Sequence, residues 1–351
     1  MVEKSALFYP QPGTGGHPPA PGAAPAAWER EWAGGFARVG ELLEWLGLDA
    51  QALGVCALAE QAFPFRITRS WAARIRPGDP ADPLLRQVLP LATERVASPG
   101  FGSDPVGDLA SQRAPGLLQK YAGRALLVTT GSCAIHCRYC FRRGFPYATQ
   151  RIGRRELDQT LAAIAADPGL HEVILSGGDP LALPDGHLDD LLARLAMIPQ
   201  LRRIRIHTRL PVVLPARVGD GLLQLLARPP QPVIMVVHSN HAQELDGEVA
   251  AALGRLRAAG ITLLNQTVLL RDVNDDAGTL AALSERLFAC GVLPYYLHQL
   301  DRVQGAAHFE VSDERARELM RGLSAQLPGY LVPRLVREVA GEPAKRLLPF
   351  M

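Results

Sequence analysis

Lysine is nearly missing from this chain. Of 37 basic residues only Lys4, Lys120 and Lys345 are lysines, and the rest are arginine. Net charge is also scarce, at +2 over 351 residues. That excludes the one-signed field of a nucleic-acid binder and leaves small-molecule chemistry as the expectation. No run of about 18 apolar residues is present, so no membrane span is expected. Cysteine is sparse too. The five, Cys56, Cys133, Cys137, Cys140 and Cys290, are odd in number and clustered, which excludes a disulfide framework and suggests a reducing compartment and a metal. With no apolar run behind a basic start there is no sign of a signal peptide, and a cytoplasmic protein is expected.

What is present is a large apolar complement, 48% of residues against 21% charged, enough for a sizeable packed core. Residues 1–27 are rich in Pro, Gly and Ala and read as a disordered tail. Residues 28–120 carry apolar residues at helical spacing and read as a helical N-terminal region. From 121 the rhythm changes. "RALLVTT" (124–130), "EVILS" (172–176), "RIRIH" (203–207), "PVIMVVH" (232–238), "ITLLNQTVLL" (261–270) and "PYYLHQ" (294–299) read as buried strands. Helical patterns alternate with them at 155–166, 187–197, 219–227, 244–259, 277–290 and 312–325. Six strand–helix units predict an α/β fold with a parallel sheet curled into a full or partial barrel over 121–326. Chemistry is then expected at the carboxyl ends of the strands.

Three polar stretches fall there: "GSCAIHCRYC", "SGGDP" and "HSNH". The first sets Cys133, Cys137 and Cys140 in a Cys-x3-Cys-x2-Cys spacing. One reading is structural zinc, with His136 or Cys290 as fourth ligand, although zinc sites favour paired spacings and four closed ligands. The other is a [4Fe–4S] cluster whose fourth iron stays open to a small molecule. In "SGGDP" (Ser176, Gly177, Gly178, Asp179) the two glycines allow close backbone approach to a ligand.

The spacing, with Tyr139 before the last cysteine, resembles the signature of radical S-adenosylmethionine (SAM) enzymes. That resemblance implies a partial (β/α)6 barrel, a [4Fe–4S] cluster on the three cysteines and SAM on the open iron. It also implies that the glycine-rich strand end holds the SAM methionine. More of the chain, including "GLLQKYAGRALLV", "CRYCFRRGFPY", "LLNQTVLLRDVND", "PYYLHQLDRVQGAAHF" and "GYLVPRLVREVAGEPAK", is similar to the lysine 2,3-aminomutases. Within that family it is most similar to the branch that supplies (R)-β-lysine for elongation factor P. The absence of cysteine after Cys290 favours that branch, because the full-length aminomutases carry a zinc-binding extension.

The resemblance implies an isomerase acting on L-lysine with a second cofactor, pyridoxal 5′-phosphate (PLP). Lys345, in a C-terminal segment over 327–351, is the lysine that PLP attaches to, a role arginine cannot fill. Lys120, Tyr121 and Arg124 match the PLP-phosphate site, with lysine where the family has arginine. Arg142 matches the group that grips the substrate carboxylate. Asp301 and Glu338 match the acids that hold the substrate ε-ammonium, with glutamate replacing aspartate at the second. His298 stands where free-lysine enzymes have tyrosine, and His238 and Gln266 match positions near SAM. Implied partners are a flavodoxin- or ferredoxin-type reductant and a ligase acting on elongation factor P; the oligomeric state is left open. A catabolic lysine 2,3-aminomutase and a non-catalytic Fe–S or zinc-binding protein are the alternatives.

Overall fold

The computed structural model describes residues 26–147 and 153–350, so most of the Pro/Gly/Ala-rich 1–27 segment lies outside the described residues. Ten strands form one open sheet in chain order: β1 (Gln112–Ala114), β2 (Leu117–Tyr121), β3 (Arg124–Thr130), β4 (Glu172–Gly177), β5 (Arg203–Thr208), β6 (Val233–His238), β7 (Thr262–Val268), β8 (Leu293–His298), β9 (Arg334–Arg337) and β10 (Arg346–Leu347). Neighbours from β3 to β9 pair in parallel, and the flanking pairs are antiparallel. β1 and β10 are free edges, so the curl is a partial barrel.

The strands form where short apolar runs are rich in Val, Ile and Leu, the composition of parallel strands buried on both faces. Alternation then sorts the side chains. Leu127, Leu175, Ile206 and Met235 are in neighbouring register and fully buried in the main core. Intervening positions such as Ile174, Arg205, His207 and His298 line an interior cavity instead.

Helices Arg154–Ala166, Asp185–Ala196, Asp220–Ala227, Gly247–Ala258, Ala277–Ala289 and Asp313–Gln326 follow the parallel strands. In the second, Leu188, Leu191, Leu192 and Leu195 make the buried stripe. Asp246, Asp276 and Ser312 cap three of them by accepting from Val249, Thr279 and Arg315 backbone N–H groups. The six strand–helix units expected from the sequence are thus present.

Two segments differ in detail. The N-terminal region is built from short helices, and "ADPLLRQVLP" yields one turn, Pro83–Arg86, capped by Asp82. Its last residues are not helical but form β1 and β2, which pair with β3. Turns at Gly116 and Gly123 reverse the chain there with positive φ of 65° and 77°. The C-terminal segment supplies β9 and β10, which extend the sheet.

Candidate active site

The loop after β3 carries the three cysteines, and the N-terminal region holds it. The His136 backbone N–H donates to the Arg66 carbonyl and that of Arg138 to Gln87, both at 2.9 Å. The His136 ring lies with Nδ1 2.7 Å from the Pro64 carbonyl, and burial pushes its pKa down to about 4. Arg138 is fully buried. Its guanidinium donates to both Glu94 carboxylate oxygens (2.8 and 2.6 Å) and to the carbonyls of Phe63 and Ala59. With Arg138 turned to its anchors, Cys133, Cys137 and Cys140 all line the interior cavity, whose volume is about 410 Å³, and His136 lines it beside them.

The fourth ligands that a zinc reading would need are engaged elsewhere: His136 at Pro64, and Cys290 in the hydrophobic core. Among the described residues no three His, Cys, Asp or Glu side chains are arranged around a single ion. Burial, then the Cys137 thiol, raises the Cys140 pKa to about 11; burial, then Asp179 and the other two thiols, also raises Cys133. Buried thiols gathered in one loop suit a metal, whose charge compensates the thiolates.

The glycine-rich stretch abuts this loop. The Gly178 N–H donates to Thr130 O (2.6 Å) and that of Asp179 to Ser132 O (2.8 Å). A Cβ on Gly177, whose φ is +121°, would meet Thr130 O at 2.6 Å, and one on Gly178 would meet the Gly131 carbonyl carbon at 2.7 Å. What the two glycines approach is therefore the backbone of the cysteine loop. Asp179 is likewise committed. Its carboxylate accepts from Thr208 Oγ1 (2.6 Å) and from the N–H groups of Leu181, Arg209 and Leu210. It braces the ends of β4 and β5 and is not free for a ligand, while burial pushes its pKa up to about 6 against those bonds.

Tyr139 is buried beside His238. Its hydroxyl lies 2.9 Å from His238 Nε2, donates to Gln87 Oε1 and accepts from Asn240 Nδ2. Gln266 is the register partner of His238 on the next strand. Burial, then Arg209, keeps His238 neutral, well below the usual imidazole range.

Charged groups gather on another part of the wall. Lys120 Nζ lies 2.7 Å from Asp108 Oδ1 and 3.7 Å from Glu338 Oε1. Arg142 Nε donates to Asp108 Oδ2 (2.7 Å) and Nη1 to Ser176 Oγ (3.0 Å). The Tyr121 hydroxyl donates to Glu338 Oε1 (2.5 Å), and Lys345 pairs with Glu338 Oε2. Glu338 thus ties β2 to the β9–β10 connection across the open side of the sheet. Burial alone would raise both acids, but Arg142 and Lys120 hold Asp108 below the usual carboxylate range, and Lys345 does the same for Glu338. The Arg124 guanidinium sits 4.5 Å from the Tyr121 ring centre.

Among the described residues Asp301 forms no salt bridge, and burial, only partly offset by Lys345, pushes its carboxyl up to about 7. His298 and His207 each present a buried Nε2 without a hydrogen-bond partner among the described residues. Burial holds both imidazoles neutral, helped by Lys345 at His298 and Arg205 at His207.

Every site residue expected from the sequence lines this one cavity. Sequence reasoning missed Asp108, His207 and Arg209. Asp108 lies in a loop with no motif, and Arg209 shows its importance only through Cys137, 72 positions away, whose Sγ accepts from Nη1 at 2.7 Å.

Residues 127–283 match the model of the Radical SAM superfamily. The L-lysine 2,3-aminomutase of Escherichia coli (strain K12) is 50% identical over 306 residues, 87% of this chain and 89% of that protein. The enzyme of the same name from Haemophilus influenzae is 45% identical over 87% of this chain and 90% of its own. That of Clostridium subterminale is 33% identical over 86% and 73% respectively. This chain belongs to the radical SAM lysine 2,3-aminomutases.

Membership implies a [4Fe–4S] cluster, SAM and PLP. The residues fit them: three thiols from one loop face a cavity of about 410 Å³, and imidazole nitrogens left without a hydrogen bond among the described residues and paired ammonium groups face the same space. Among the described residues no helix is long and apolar enough to cross a membrane.

Proposed function

We propose that this chain isomerises L-lysine to (R)-β-lysine by moving the α-amino group from carbon 2 to carbon 3. The observation that carries the reading is the shared cavity, with the cysteine trio and the Lys120/Lys345 cluster facing one space of about 410 Å³. Over the cycle the C2–N bond breaks, a C3–N bond forms, and one hydrogen passes from carbon 3 to carbon 2, with no net oxidation. When bound, the cluster and SAM supply reversible hydrogen abstraction, and PLP supplies the π-system that carries the nitrogen.

The protein's part is placement. Cys133, Cys137 and Cys140 hold the cluster. Ser176, Gly177, Gly178, Tyr139, His238 and Gln266 shape the SAM side, with Asp179 bracing the turn. Lys345 attaches PLP, and Lys120, Tyr121 and Arg124 meet its phosphate; Asp108 and Glu338 neutralise these donors beforehand. Arg142, buried beside Ser176, meets the substrate carboxylate through a bidentate-capable fork. Asp301 and Glu338 meet the ε-ammonium. Fixing both ends of a flexible substrate supplies the proximity that the hydrogen transfer demands.

The reading also includes a low-potential flavodoxin- or ferredoxin-type reductant, a ligase that attaches the product to elongation factor P, and the cytoplasm as setting. Anaerobic incubation with SAM, PLP, dithionite and L-lysine, followed by chiral mass spectrometry, tests the activity. The (R)-β isomer is expected. Deoxyadenosine formed without any β-lysine would refute the substrate.

A further inference from the structure

Arg209 follows β5 at its carboxyl end and is almost wholly buried. Its place is over-determined. Asp179 Oδ2 accepts its backbone N–H at 2.7 Å, and the guanidinium carbon lies 4.5 Å from the Trp71 ring centre. Nη2 donates to Gln87 Oε1 (2.7 Å) and Glu244 Oε2 (3.2 Å). Glu244 is itself fully buried and accepts through Oε1 from Gln87 Nε2 and from the N–H groups of Asn240 and His241. The remaining terminal nitrogen, Nη1, donates to Cys137 Sγ at 2.7 Å, and Nε is a buried donor with no partner among the described residues. A fixed cation, backed by one buried carboxylate, is therefore pressed against one thiol of the trio.

We propose that Arg209, balanced by Glu244, sets the reduction potential of the iron–sulfur cluster through Cys137, an inference that rests on the three cysteines being its ligands. The physics is a charge balance. One electron from a low-potential donor adds one negative charge to the cluster, and no bond to protein forms or breaks. A buried cation that donates a hydrogen bond to a ligand sulfur stabilises the reduced state and raises the potential. Glu244 opposes it across the guanidinium, so the pair holds the value between two limits. Arg209 is a tuning residue and takes no part in the bond changes.

The test is an anaerobic potentiometric titration of the reconstituted holoprotein with dithionite, followed by electron paramagnetic resonance, with iron and sulfide measured on each sample. Arg209→Gln should lower the potential. At fixed potential the reduced-to-oxidised ratio should fall by at least about tenfold, equivalent to about 59 mV for a one-electron couple. Glu244→Gln keeps the shape, leaves the cation unbalanced and should shift the potential the other way. Arg209→Lys keeps the charge and should move it less than Arg209→Gln. Should Arg209→Gln fail to retain a cluster, the signs for Glu244→Gln and Arg209→Lys decide. Equal potentials in all variants, or shifts of one sign for Arg209→Gln and Glu244→Gln, would overturn the proposal while leaving the cluster in place. Native protein that takes up no iron and sulfide would instead overturn the proposed function, and the tuning role with it.

Discussion

Removing the Glu94 carboxylate should cost this protein more than any surface change, because it strands a charge. Glu94 is almost wholly buried and accepts from Arg138 Nε, Arg138 Nη2, Arg143 Nη2 and the Leu91 N–H at 2.6–3.1 Å. Burial already pulls the Arg138 guanidinium below its usual range, and Glu94 is the main group opposing that. With Glu94→Ala the fully buried Arg138 keeps only two carbonyl acceptors and loses its paired carboxylate. Breaking a buried pair from one side costs about 3–5 kcal/mol, a large share of the roughly 5–15 kcal/mol that holds a typical domain together. Glu94→Gln keeps acceptor oxygen without charge and should lose less. The loss also has a functional address: Arg138 lies between Cys137 and Cys140's neighbour Tyr139, so iron uptake on reconstitution should fall in parallel. Urea denaturation of the apoprotein followed by circular dichroism measures the first quantity, and iron analysis the second. Combined with Arg138→Met, the cost should be less than the sum of the single changes. A Glu94→Ala loss below about 1 kcal/mol, or strict additivity, would refute the stranded-charge reasoning.

Asp301 predicts a pH profile. Its carboxyl titrates near 7, and only the ionised form attracts an ammonium, so kcat/KM for lysine should fall as pH drops through about 7 and level off above it; if Asp301→Asn retains that inflection, another group is responsible. Arg142→Lys should lower kcat/KM by the equivalent of about 2–3 kcal/mol, because the fork becomes a point contact, and an unchanged value would place the substrate carboxylate elsewhere. Borohydride reduction of the PLP-loaded protein should fix a pyridoxyl group on Lys345, found by peptide mapping, with a label on Lys120 as the contrary result.

The barrel was legible because most of the parallel strands carry short runs rich in Val, Ile and Leu, and the helices between them carry apolar residues at helical spacing. β1 and β2 were hidden for the opposite reason: they are short, and Gln112, Arg113 and Lys120 dilute their apolar signal. Pro115-Gly116 and Ala122-Gly123 were the punctuation that could have revealed that hairpin. Within the site, Cys133, Cys137 and Cys140 were legible because one loop supplies them at fixed spacing. Lys345 stood out because so few lysines remain, and it lines the cavity. Residues that act through distant partners were not. Asp108 gains meaning only when Lys120 and Arg142 meet it, and Asp179 looked like a ligand contact until its four donors were seen.

With lysine at three positions and arginine at every other basic one, the molecule has an unusual chemical contrast. Amine-directed reagents normally scatter over a surface, but among the described residues only Lys120 and Lys345 offer them a lysine side chain. Of the three lysines in the sequence, Lys120 and Lys345 both face the cavity. A small activated ester or aldehyde thus becomes a probe of the interior. The fraction of each lysine protected reports how far the chamber is filled, and a plain mass spectrometer can follow loading without turnover, anaerobic kinetics or a chromophore.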